Sequence, residues 1–124
     1  MAEKRTMSTA SPPTAVVDIG SNSTRLVVYD TSDRSPIAIF NEKLLCGLGR
    51  GLDATGQLSD EGIEQALGAL PRFMRIAQEM GVQRIDMLAT AATRDATNGA
   101  EFVRRASQIS GQEIRVLSGE EEAR

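Results

Sequence analysis

Ala15-Val16-Val17-Asp18-Ile19-Gly20-Ser21-Asn22-Ser23-Thr24-Arg25-Leu26-Val27-Val28-Tyr29 decides the fold. Two β-branched, apolar segments flank one short polar turn that contains a glycine and has a carboxylate at its mouth. Such a run reads as a β-hairpin, with strands over residues 14–19 and 25–30. In the turn, glycine and asparagine tolerate positive φ and hydroxyls rotate to suit, so backbone N–H groups and side-chain donors can converge on an anion. Asp18 stands at the strand end, where an acceptor-only carboxylate could hold a hydrated Mg²⁺ beside a phosphate. The same residues also read as an ordinary hairpin whose aspartate and serines satisfy the backbone of the turn.

Working outward, residues 32–36 (Ser-Asp-Arg-Ser-Pro) form a second turn, and a third strand over 37–45 completes a meander. Gly47-Leu48-Gly49-Arg50-Gly51-Leu52 follows. Its glycine spacing superficially suggests a dinucleotide site, but the expected continuation is another loop over 53–57, so a glycine-rich loop is the reading. Ser59 caps a helix over 60–80 that places Ile63, Ala66, Leu67, Leu70, Met74 and Ala77 on one face, with Gly81 as the stop and Pro71 as a point of kinking. Residues 84–90 read as a buried strand, and Asn98-Gly99-Ala100-Glu101 has the spacing of a capping box. Phe102, Ala106 and Ile109 line one face of the helix it opens, Gly111 closes that helix, and 113–117 is the last strand. A meander followed by two helix-bridged crossovers predicts a mixed sheet with a parallel half. Residues 1–13 are rich in Ser, Thr, Pro and Ala without hydrophobic periodicity and read as a flexible tail.

Composition narrows the chemistry. The 124 residues suit one domain or part of one, with a core of Ile, Leu, Val, Met and Ala, since there are three Phe, one Tyr and no Trp. Few aromatics and a net charge of −3 argue against a nucleic-acid or anionic-membrane partner. The absence of histidine leaves Asp and Glu to act as bases and rules out histidine triads within these residues. Cys46 has no disulfide partner in the chain and reads as a small buried hydrophobe, and with no apolar span the expected compartment is the cytoplasm.

After the last strand, Ser118-Gly119-Glu120-Glu121-Glu122-Ala123-Arg124 has capping-box spacing between Ser118 and Glu121, so a new helix starts there. Glu122 is then a separate carboxylate in its first turn, able to orient and deprotonate water; alternatively, all three glutamates simply suit a helix start.

Taken together these segments resemble the exopolyphosphatase and guanosine pentaphosphate phosphatase family. Its DIGSNS, LGxGL, ATSAxRDAxN and SGxEEAR patterns stand here, in order, as DIGSNST (18–24), LGRGL (48–52), ATAATRDATN (89–98) and SGEEEAR (118–124). The resemblance implies an α/β, ribonuclease H-like (actin-like ATPase) domain over residues 14–124. In it a three-strand antiparallel meander precedes two helix-bridged parallel strands, in a mixed sheet with flanking helices. It also implies Mg²⁺ as cofactor, held with the help of Asp18, and a first phosphate loop made of Gly20, Ser21, Asn22 and Ser23. Arg25 and Arg94 become candidate phosphate contacts, a guanidinium being able to bind two oxygens at once; Arg94 reads equally as the ion-pair partner of Asp95. Glu122 would be the general base for hydrolysis of inorganic polyphosphate or guanosine pentaphosphate. The family's second glycine-rich loop falls beyond Arg124, so the expectation is an N-terminal portion of a larger enzyme, inactive alone, whose parent could be a homodimer. Two other classes fit the turn: an ATP-using kinase or chaperone-type ATPase of the same fold, and a non-catalytic module binding polyphosphate or an alarmone.

Overall fold

Alternation decides which face of the hairpin is buried. Ala15, Val17 and Ile19 of β1 (Thr14–Ile19) and Thr24, Leu26 and Val28 of β2 (Ser23–Asp30) are all fully buried, whereas their neighbours in sequence are partly or wholly exposed. The computed structural model describes residues 12–32 and 35–118. Its remaining elements are β3 (Ile37–Leu45), α1 (Leu52–Thr55), α2 (Asp60–Glu79), β4 (Arg84–Ala89), α3 (Ala91–Asp95), α4 (Gly99–Ser110) and β5 (Ile114–Val116). The five strands form one sheet in the order β3-β2-β1-β4-β5. The β1–β2 and β2–β3 pairs are antiparallel, and the β1–β4 and β4–β5 pairs are parallel. This is the mixed sheet of the ribonuclease H-like, actin-like class expected from the sequence.

The core lies between the buried sheet face and α2. Ile63, Ala66, Leu67, Leu70 and Ala77 are buried as their spacing requires, but Phe73 is the largest fully buried side chain of the helix and Met74 packs at the margin of the core. Both lie on the apolar face of the helix, and the larger, more rigid ring fills the centre. Helix α2 passes through Pro71 without interruption and is fastened at its edges by two arginine–carboxylate forks. Arg72 reaches Glu42 on β3 at 2.7 and 2.8 Å, and Arg105 of α4 reaches Glu64 at 3.0 and 3.5 Å. The Arg72 guanidinium holds the Glu42 carboxyl below the usual glutamate range, as Arg104 does for Glu101.

Several local expectations are corrected. Strand β2 begins at Ser23, which shortens the polar turn to three residues between strands, Gly20, Ser21 and Asn22. The expected loop over 53–57 contains one helical turn, α1, entered through Gly51 at φ 76°. Asn98 does not cap α4 with its side chain. It accepts a hydrogen bond from the Leu58 amide at 2.8 Å and donates one to the Leu58 carbonyl at 3.2 Å, so a cross-chain bridge replaces the capping box. Ile109 is 44% exposed, while Phe102 and Ala106 are buried. Of the expected tail, Pro12 and Pro13 are among the described residues, and the Pro12 carbonyl accepts a hydrogen bond from Thr31 at 3.3 Å. Cys46 is buried, with its sulfur 3.6 Å from the Thr24 hydroxyl. Among the described residues no helix is long and apolar enough to cross a membrane.

Candidate functional site

Three parallel strands end in register. Ile19 of β1 pairs with Ala89 of β4, and Ala89 pairs with Val116 of β5. Gly20, Thr90 and Leu117 therefore leave the sheet side by side, joined by hydrogen bonds from the Thr90 amide to the Ile19 carbonyl (3.2 Å) and from the Leu117 amide to the Ala89 carbonyl (2.8 Å). In open α/β sheets ligands bind beyond the carboxyl ends of the strands, and the DIGSNST turn, the start of ATAATRDATN and the root of SGEEEAR all leave the sheet at this edge.

The turn is closed by the Gly20 amide donating to the Ser23 carbonyl at 2.9 Å. Its other carbonyls face backward: Ser21 accepts from the Gly49 amide at 2.8 Å, and Asn22 accepts from the amides of Cys46 (2.9 Å) and Gly47 (3.2 Å). Among the described residues the amides of Ser21 and Asn22 have no backbone acceptor, and both residues are exposed. A turn in which the Ser21 and Asn22 carbonyls are engaged while the amides of the same two residues have no backbone acceptor is suited to an anion. Gly20 is needed for space and not for a left-handed backbone. It is not among the glycines with positive φ, and a Cβ there would lie 3.2 Å from the Ser23 carbonyl oxygen.

The glycine-rich segment is the seat of this turn. A Cβ on Gly49 would stand 3.0 Å from Ser21 Cβ, and Gly47 holds φ +68°. Arg50, in the same segment, lies over Gly47 and pairs with Glu61 at 3.7 Å. It borders a hollow of about 370 Å³ that Asn22 also lines. Arg50 is a cation beside the turn that the sequence reading left unassigned; its position between two glycines was the available signal. A larger groove of about 580 Å³, lined by Arg84, Asp86, Gln112 and Glu113, lies toward the other end of β4 and holds none of the turn.

The other candidates are placed as follows. Asp18 is exposed on the sheet face away from α2, in register with Arg25 across the hairpin. Arg25 does not reach toward the turn: its Nη1 donates to Asn41 Oδ1 at 2.7 Å, and Asn41 is paired with Val27, further from the turn. Arg94 pairs with Asp95 at 3.1 Å and also donates from Nη1 to the Leu117 carbonyl at 3.1 Å. It thereby grips the root of the SGEEEAR segment. Glu122 lies outside the described residues. Among the described residues no cluster of three or more His, Cys, Asp or Glu side chains could cage a metal. An exposed carboxylate such as Asp18 is compatible with a cation that retains most of its water, as Mg²⁺ does. Thr90, which the sequence places at a strand end and inside the ATAATRDATN motif without a role of its own, has its Oγ1 closed off from solvent without a hydrogen-bond partner among the described residues.

A meander with two crossovers, carrying a hydroxyl-rich turn at the aligned strand ends, defines a ribonuclease H-like domain of the actin type. The chain belongs to the Ppx/GppA phosphatase family, whose sequence model matches residues 27–124. It is similar to the guanosine-5'-triphosphate,3'-diphosphate pyrophosphatase of Vibrio parahaemolyticus, at 39% identity over 114 residues, 92% of this chain and 23% of that protein. The protein of the same name from Vibrio cholerae is 37% identical over the same shares. Among solved structures, the Ppx/GppA family member of Aquifex aeolicus superposes with a TM-score of 0.84 at 31% identity, covering 89% of this chain and 36% of that one. An exopolyphosphatase from Cytophaga hutchinsonii superposes at 0.83 with 29% identity, covering 90% and 36%. The chain thus spans about a quarter of the length of the curated relatives it matches.

Proposed function

We propose that this chain supplies the first phosphate grip and the general base of a phosphoanhydride hydrolase that releases orthophosphate from inorganic polyphosphate or guanosine pentaphosphate. The observation that carries the reading is the alignment of the Gly20–Ser23 turn, the Thr90–Arg94 segment and the root of the SGEEEAR segment at one sheet edge. Family membership and the printed names of the relatives support it.

The chain's own groups have distinct tasks. The amides of Ser21 and Asn22 and the hydroxyls of Ser21 and Ser23 hold and orient a terminal phosphoryl group, spreading its charge over fixed donors, while Gly20 closes the loop that carries them. Arg94 can turn from Asp95 to that group, because its pair is exposed and weak. Glu122 takes a proton from water as the water oxygen attacks phosphorus; the bridging oxygen leaves with the bond electrons, and no covalent intermediate on the enzyme is needed. Mg²⁺, with Asp18 as its ligand on this chain, would neutralise charge on the phosphate oxygens when bound. Arg25 is assigned a lesser role, that of setting the Asp18 side of the hairpin through Asn41. Turnover is proposed for the full-length protein and not for these residues alone, since they match 23% of the relatives' length.

The test is orthophosphate release by the full-length protein from both substrates with Mg²⁺, comparing wild type with Glu122→Gln. Loss of a general base predicts a fall of about 100-fold or more in kcat. Undiminished release by the variant would refute the assignment of Glu122, and no release from either substrate by wild type would refute the hydrolase.

A further inference from the structure

A buried hydroxyl that bonds to nothing costs free energy and calls for a physical reason. Among the described residues Thr90 Oγ1 is such a group. It sits at the aligned strand ends, with its own amide on the Ile19 carbonyl and its methyl group 4.0 Å from where a Cβ on Gly20 would be. Of the Thr90 side chain, the methyl comes within 4.0 Å of that position and the hydroxyl oxygen does not. Threonine side chains occupy discrete staggered wells, so one step of χ1 rotation in the appropriate sense puts Oγ1 in the place of the methyl, facing Gly20. In that well the hydroxyl lies on the turn, where an anion held by the Ser21 and Asn22 amides would supply the acceptor it lacks.

We propose that Thr90 is a rotor for the phosphate turn: its hydroxyl is left unpaired in the free protein and swings to donate a hydrogen bond to a phosphoryl oxygen when the turn is occupied. Thr90 is then a further binding residue, contributed from the second crossover and not from the hairpin. The unpaired state raises the free energy of the empty site, and occupation relieves it. This rests on the proposed reading of the turn as a phosphate site and adds a named donor to it.

The test uses the full-length protein in a Glu122→Gln background, so that the probe survives, with inorganic tripolyphosphate and Mg²⁺ as the ligand in calorimetric titration. Thr90→Val keeps the shape and removes only the hydroxyl. Its melting temperature without ligand should equal or exceed that of the parent, because an unsatisfied buried group is gone. Its affinity for tripolyphosphate should fall about tenfold, ~1.4 kcal/mol, while Thr90→Ser, which keeps the hydroxyl, should bind within about twofold of the parent. Thr90→Val binding as tightly as the parent overturns the proposal and leaves the phosphate turn intact. So does a Thr90→Val protein that melts well below the parent without ligand, since its hydroxyl would then already be satisfied. A parent that binds no tripolyphosphate overturns the phosphate site, and the rotor with it.

Discussion

Gly62 and Gly68 lie in the same helix, six residues apart, and alanine at the two positions should have opposite effects. Helix propensity alone favours alanine over glycine by about 1 kcal/mol at either site. A Cβ on Gly68 would meet nothing within 4 Å, so Gly68→Ala should stabilise the protein by roughly that amount. A Cβ on Gly62 would lie 2.8 Å from both Cα and N of Leu48 and 2.9 Å from the Gly47 carbonyl carbon. These are backbone atoms with no rotamer to escape into, so the glycine-rich segment must retreat by about 0.6 Å to reach ordinary contact. Overpacking of this kind costs about 1–3 kcal/mol, and contact with backbone puts the site in the upper half of that range. Offset by propensity, Gly62→Ala should lose about 1–2 kcal/mol, leaving the two variants roughly 2–3 kcal/mol apart. Urea denaturation of both, with the slopes checked for equality, measures the difference directly. If Gly62→Ala proved as stable as Gly68→Ala, the close seating of α2 on the glycine-rich segment would be wrong.

Three further outcomes follow from the packing. Phe73 is 1% exposed at the centre of the core, so Phe73→Ala should cost about 3–5 kcal/mol in the same denaturation assay. Asn98→Asp keeps the acceptor for the Leu58 amide but turns a second oxygen toward the Leu58 carbonyl, and the resulting unpaired, repelling contact should cost about 1–3 kcal/mol, more than Asn98→Ala if repulsion dominates. The Glu42 carboxyl is held below its ordinary range by its hydrogen bonds and charge pairing with Arg72. The folded pKa is thus depressed, so the pair stabilises the protein above the unfolded-state pKa, roughly pH 4, and the contribution is lost as pH falls through the folded value. The stability difference between wild type and Glu42→Gln should therefore be present at neutral pH and vanish in acid; a difference that grew on acidification would contradict the pairing.

The sheet and its main helices were legible because their signals are periodic and local. The apolar segments over 14–19 and 25–30 marked the two strands of the hairpin, and the three- and four-residue spacing along α2 set its apolar stripe. Where two residues shared that stripe, as Phe73 and Met74 do, spacing did not rank them, and volume and rigidity decided. The errors came from contacts distant in sequence. Asn98 has the spacing of a cap, but its side chain is taken by Leu58, 40 positions away. Arg25 has the chemistry of a phosphate contact, but the neighbouring strand offers Asn41 and draws the guanidinium away from the turn. Gly20 was expected to serve a left-handed backbone and instead makes room for a carbonyl oxygen. A sequence window contains the residue but not the atoms that crowd it.

The site was legible as a set of motifs, but the division of labour among them comes from the geometry. DIGSNST presents donors; the Gly49 amide of LGRGL is spent on the Ser21 carbonyl, and the Cys46 and Gly47 amides just before it on the Asn22 carbonyl. A peptide group is planar, so fixing the Ser21 carbonyl on Gly49 sets where the Asn22 amide points, on the opposite side. Within the second motif Gly49 is therefore explained by close approach to Ser21, and Gly51 by its left-handed backbone at φ +76°. The same logic extends one layer further back, because the first turn of α2 admits Leu48 only through Gly62. A chain of backbone contacts thus runs from the core helix through the glycine-rich segment to the turn. Precision in the donors depends on packing well outside their reach, so a substitution that displaces Leu48 by a few tenths of an ångström should be felt first in the orientation of Ser21 and Asn22, before the sheet beneath them is disturbed.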